Sequence, residues 1–177
     1  SGLQHSEMFP LLNESEPNTF ELFQIWLNLP ASKKFAKPRY KMLWGETIPK
    51  IEHTDENGKK ITIDIVAGKL ENTEAPAPAP DSWAADSENE VAVWHIEMDE
   101  SAEWELPLAS KKVNRTLFFF EGESIQLNKI RIESGYGIEL DWQQNVTLKN
   151  GEKKSRLLLL QGKPINEPVV QYGPFVM

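Results

Sequence analysis

From residue 91 to residue 161 the chain is written almost entirely in short alternating segments, which constrains its fold more than any other feature. Segments 91–98, 103–106, 115–120, 124–128, 129–133, 137–142, 146–148 and 156–161 each have the length and pattern of one strand. Between them stand Gly122, Gly135, Asn150-Gly151 and Gly162, residues that accept the backbone angles of tight turns. Short strands at this spacing predict an all-β sandwich or barrel. Helix is scarce throughout.

The earlier half is less regular. Asp55-Glu56-Asn57-Gly58, between 51–53 and 61–66, reads as a hairpin turn because Asn-Gly accepts positive φ. Ile61, Ile63 and Ile65 alternate against Thr62, Asp64 and Val66, so that strand has one core face. In 20–27, Phe23, Ile25 and Leu27 face one way and Leu22, Gln24 and Trp26 the other, which predicts a strand buried on both faces and ended by Pro30. Gln24 is then either a core amide satisfied by backbone groups or a partner behind a metal ligand. Residues 31–38 read as a lysine-bearing loop and 39–44 as a short helical turn. The alternating Ala-Pro of 74–80 is an extended segment that, on its own composition, would link two domains.

Each of the three histidines has an acid two residues on: His5 with Glu7, His53 with Asp55, and His95 with Glu97. On a strand such neighbours share one face at roughly 6.5–7 Å along the backbone, so an imidazole and a carboxylate can lean toward one metal ion. Mixed His/carboxylate donors with open positions suit non-haem iron. With 27 acids in 177 residues the spacing also arises by chance. His53 and Asp55 belong to the hairpin turn. His95 and Glu97 point away from a core face of Trp94, Ile96 and Met98, toward Glu103 and Glu105 on a nearby strand, and read as a surface pair. His5 and Glu7 remain as the candidate.

Several function classes are excluded. A net charge of −8 argues against direct nucleic-acid binding. The basic clusters, such as Lys33-Lys34 and Lys153-Lys154, sit beside turn residues and read as solvated. The longest apolar runs, 117–120 and 157–160, fall far short of a membrane span. Absence of cysteine removes disulfide and thiolate chemistry and fits a reducing, cytoplasmic setting. No nucleophile elbow or phosphate-cradling glycine loop is present. Core packing accounts for most of the six tryptophans.

Gly2-Leu3-Gln4-His5-Ser6-Glu7-Met8 resembles the motif of the pirin family, whose members are bicupins with an iron ion in the N-terminal barrel. Asn28-Leu29-Pro30, Pro38-Arg39-Tyr40, Leu43-Trp44 and Ile48-Pro49 follow the family's order, as does the end of the chain from Gly162 to Met177. The resemblance implies an all-β double-stranded β-helix, or jelly-roll cupin, with the first barrel incomplete in this chain. Residues 1–48 would be the later part of the N-terminal cupin and 49–177 a metal-free C-terminal cupin, with the Ala-Pro stretch a loop inside it.

The same resemblance makes His5 and Glu7 ligands of Fe(II) and Glu7 also the catalytic base. Pirins complete that site with a His-x-His segment upstream, whereas only four residues precede His5. The chain thus reads as trimmed at both ends, with metal binding weak or absent and exposed sheet edges that favour a homodimer. Two functions follow. One is cleavage of a flavonol-type small molecule, as a quercetin 2,3-dioxygenase. The other is a redox-sensitive regulatory protein that binds a protein partner, in transcription or metabolism, without touching nucleic acid or membrane.

Overall fold

The computed structural model describes residues 6–110, 112–173 and 175–176. Among the described residues fourteen strands follow one another: β1 Lys50–Thr54, β2 Lys60–Ala67, β3 Lys69–Leu70, β4 Thr73–Glu74, β5 Ala92–Met98, β6 Glu103–Leu106 and β7 Asn114–Glu121, then β8 Ser124–Leu127, β9 Ile130–Glu133, β10 Tyr136–Glu139, β11 Val146–Asn150, β12 Ser155–Gly162, β13 Gln171–Tyr172 and β14 Phe175–Val176. Six form one antiparallel sheet in the order β1-β2-β5-β12-β7-β10, and four form a second in the order β6-β11-β8-β9. The chain is an all-β jelly-roll cupin, in agreement with the alternation of its sequence.

The inner faces of the two sheets meet in one core. Ile61, Ile63, Ile65, Trp94, Ile96, Met98, Leu117, Phe119, Leu157 and Leu159 come from the larger sheet, and Trp104, Leu106, Ile125, Leu127, Val146 and Leu148 from the smaller. Burying each such side chain contributes roughly 1.5–3 kcal/mol. Polar side chains also share these inward faces, among them His53 of β1, the register partner of Ile61, and Arg115 of β7, two positions ahead of Leu117.

The β1–β2 turn is organised by Asp55, whose Oδ1 accepts from the amides of Asn57 and Lys59 at 2.8 and 2.9 Å. Of the Asn57-Gly58 pair, only Gly58 takes positive φ, at 77°. His53 therefore belongs to β1 rather than to the turn. It is half-buried at the sheet edge, stacked 5.8 Å from Trp104.

Residues 68–91 connect β2 to β5, neighbours in one sheet. The Ala-Pro stretch is thus a loop along the barrel and not a spacer between independent bodies. Its later part is fixed by two short 3-10 turns capped by the Ser82 and Asp86 side chains.

Residues 6–49 hold no strand, only 3-10 turns at Ala31–Lys33 and Gly45–Thr47. The expected strand at 20–27 is not formed and its residues are exposed, Gln24 included. Its apolar side chains face two ways because the segment lies across the outside of the larger sheet without joining a hydrogen-bond ladder. The helical turn expected at 39–44 falls later, at Gly45–Thr47, because Ile48 N–H closes onto Gly45 O at 3.3 Å.

Candidate functional site

Of the candidate metal pair, His5 lies outside the described residues, and Glu7 is exposed. The stretch after it is folded back on itself. Asn18 Oδ1 accepts from the amides of Leu12 and Asn13, and Phe9 meets the ring of Phe20 edge-on at 4.7 Å. Three residues on, Phe23 packs edge-on against Phe120 of β7 at 4.8 Å. A chain of aromatic contacts therefore links the segment after Glu7 to the outer face of the six-stranded sheet.

That outer face carries two cross-strand rows. In the first, Lys50, Asp64, His95, Leu158 and Phe118 are successive register partners across β1, β2, β5, β12 and β7. Asp64 Oδ2 lies 3.0 Å from His95 Nδ1, and Lys50 Nζ lies 2.7 Å from Asp64 Oδ1. Burial pushes the Asp64 carboxyl up, but the Lys50 and His95 contacts outweigh it and hold the group below the usual carboxylate range. His95 Nε2 is buried with no hydrogen-bond partner among the described residues, and the ring sits 6.1 Å from Phe120.

The second row is Glu52, Thr62, Glu97, Arg156 and Glu121. The β7 register skips Phe120 at this point, a bulge on β7 that sets Glu121 opposite Arg156. Its guanidinium meets Glu21 at 2.6 and 2.8 Å, Glu121 at 2.9 Å and Glu97 at 3.6 Å, and lies 5.2 Å above the Phe120 ring. These contacts fix the 20–27 segment on the sheet.

His95 and Glu97 do face away from the core, as the alternation implied, but two details differ. His95 is half-buried and carboxylate-bound, so it is not a surface residue. Glu103 and Glu105 lie on the other sheet, where Glu103 pairs with Lys149 at 3.4 Å. Asp64 and Lys50 are the members that sequence reasoning missed. They become visible only once β1, β2 and β5 are placed in register. The tryptophans also depart from expectation: only Trp94 and Trp104 belong to the core, and Trp26 and Trp44 are exposed.

A carboxylate on one ring nitrogen is a common way to orient a histidine ligand or base. Among the described residues, however, no three His, Asp or Glu side chains gather closely enough to hold a metal ion. Glu7 and His5 bring two donors of a kind suited to iron. Two protein donors alone do not close a metal centre. Among the described residues no helix is long and apolar enough to cross a membrane.

Residues 93–177 match the Pirin C-terminal cupin domain. Over 99% of its length the chain is 29% identical to Pirin-1 of Arabidopsis thaliana, of which it spans 56%. It is also 29% identical, again over 99% of its length, to a Vibrio cholerae protein provisionally named quercetin 2,3-dioxygenase, of which it spans 57%. A crystal structure of quercetin 2,3-dioxygenase from Acinetobacter baumannii superposes with a TM-score of 0.69 at 25% identity, over 86% of this chain and 49% of that one. The chain thus spans a little over half the length of these curated relatives.

Proposed function

Since residues 93–177 match the Pirin C-terminal cupin domain and the chain is similar to Pirin-1 along 99% of its length, we propose that it is the cupin scaffold of a pirin-type iron protein whose metal ligands include His5 and Glu7. Residues 1–48 then belong to the metal-bearing N-terminal cupin and 49–177 form the C-terminal cupin. The similarity to Pirin-1 along 99% of the chain carries this reading, and the mainly apolar packing between the two sheets supports a scaffold role for residues 49–177. The remaining ligands would come from an upstream His-x-His segment in a longer form of the protein.

When bound, Fe(II) would supply a Lewis-acid and one-electron centre for flavonol oxygenation. This chain's own part would be to present the His5 imidazole as a neutral donor and the Glu7 carboxylate as a donor and base. The flavonol hydroxyl proton would pass to a Glu7 carboxylate oxygen. The exposure of Glu7 supports access by a small molecule.

A second reading is a redox-sensitive interaction protein. Phe20, Leu22, Trp26, Phe35 and Trp44 are exposed along one amino-terminal stretch, which supports contact with another protein surface. Aerobic incubation of the Fe(II)-loaded longer form with quercetin, followed by loss of flavonol absorbance, separates the two. Ring cleavage that disappears in Glu7→Gln is expected. An iron-loaded protein that leaves quercetin intact would leave only the interaction role.

A further inference from the structure

Four strands end the two main sheets, β1 and β10 in the larger and β6 and β9 in the smaller. At such an edge every second residue directs its N–H and C=O away from the sheet. In β8, Asn128 N–H donates to Thr147 O at 2.8 Å and Ser124 O accepts from Gly151 N–H at 2.9 Å, so even-numbered residues bond toward β11. Ile125 and Leu127 are left to bond with Ile132 and Ile130 of β9. The backbone groups of Arg131 and Glu133 therefore point off the free edge of β9.

The four edges differ in what they offer. On β6 the outward-bonding residues are Glu103 and Glu105, since Asn150 N–H bonds Ala102 O; the Glu103 amide is already taken by Asp55 at 3.0 Å, and the two acids repel a like strand. Lys50, the basic residue of the β1 edge, is held by Asp64 at 2.7 Å. On β10, Leu140 N–H bonds Arg115 O, which leaves Gly137 and Glu139 outward with no basic group. Arg131 and Glu133 of β9 are both exposed, and neither has an ion-pair partner among the described residues. On the other face of β9, Ile130 and Ile132 turn between the sheets, yet Ile130 is 69% exposed. Tyr136 and Ile138 hold the matching inward positions of β10, and the two edges border an open cleft of about 600 Å³.

An open edge with an apolar row beside it accepts another strand. We propose that β9 pairs with β9 of a second copy of this chain, antiparallel about a two-fold axis at Ile132. Arg131 of each copy then stands opposite Glu133 of the other in a hydrogen-bonded pair, and the two smaller sheets become one. Ile132 meets its counterpart at the axis, in the closer, non-hydrogen-bonded kind of pair. A second copy is the occupant because an isologous contact needs a patch that complements itself. A cation and an anion two positions apart, read in reverse, do so.

Sedimentation of the full chain over a concentration series tests this, beside Arg131→Glu, Glu133→Arg and the double swap. A reversible wild-type dimer is expected. Either single reversal sets like charges opposite each other and should weaken the dimer at least tenfold. The double swap, and an equimolar mixture of the two single variants, should restore it. In the wild-type dimer the Arg131 and Glu133 amides should exchange more slowly than in the monomer, with Ile130 and Ile132 unchanged. The proposal is overturned by a chain still monomeric at about 1 mM, where even a weak strand contact associates. It is equally overturned by a dimer that both reversals leave intact, by reversals that the swap does not rescue, or by a dimer that gives those two amides no added protection. The wild-type amides decide the matter even if a variant does not fold.

Discussion

Arg156 and Glu21 meet through two parallel contacts, at 2.6 and 2.8 Å, across 135 positions of sequence. This fork, with the Phe23–Phe120 ring contact beside it, holds a strandless segment against a completed sheet. Both side chains are about one-third exposed, so the ion pair contributes only about 1 kcal/mol. Its effect is local.

Glu21→Gln should therefore loosen residues 20–27 without unfolding the barrel. Hydrogen exchange should speed up several-fold in that segment and remain unchanged in β5 and β12. Unchanged exchange at 20–27 would show that other contacts hold it.

Asp64 should make stability depend on acid. A carboxyl whose folded pKa lies below its unfolded value adds stability that is complete above the unfolded value and fades as pH falls through the folded one. The Lys50 and His95 contacts place Asp64 in that class. Asp64→Asn should cost about 1 kcal/mol at pH 6.5 in urea unfolding, with the difference shrinking below the ordinary aspartate range, about 3.9. A cost that is the same at both pH values would contradict this.

Asn150 is 4% exposed and bonded through its whole amide. Nδ2 donates to the carbonyls of Met98, Asp99 and Lys153, and Oδ1 accepts from Gly151 N–H and Ser155 Oγ–H. Asn150→Leu would strand those partners and should destabilise the barrel by about 2–4 kcal/mol in denaturant melts. A loss under about 0.5 kcal/mol would mean water replaces the amide.

Gly122 has φ of +135°, and a Cβ there would stand 2.3 Å from Ser155 Oγ and 2.8 Å from the Phe119 ring. Gly122→Ala should cost roughly 1–3 kcal/mol through strain and displacement of Phe119. Gly135 also has positive φ, +97°, but has open space around it. Gly135→Ala should thus cost less, so comparing the two melting temperatures isolates the packing term.

The later half of the fold was legible because each strand writes its own burial. Trp94, Ile96 and Met98 alternate with His95 and Glu97, and Leu157 and Leu159 continue the pattern across the ladder. Residues 20–27 resisted reading because period-2 patterning reports apolar faces but not whether the backbone has a ladder to join. His95 was legible as outward-facing but not as half-buried, since its Asp64 partner comes from a strand 31 positions away. Arg115 shares the inward alternation of Leu117 and Phe119, but an arginine at a strand start reads as solvated until the sheet is closed around it.

The central claim is that this chain contributes His5 and Glu7 to an iron centre. Its most direct test is the iron content of the longer form, loaded anaerobically with Fe(II) and freed of excess metal, beside His5→Ala and Glu7→Gln. The account predicts roughly one iron per chain, as for a mononuclear centre, and at least a tenfold loss of retained iron in both variants. Iron retained equally by all three proteins would contradict it.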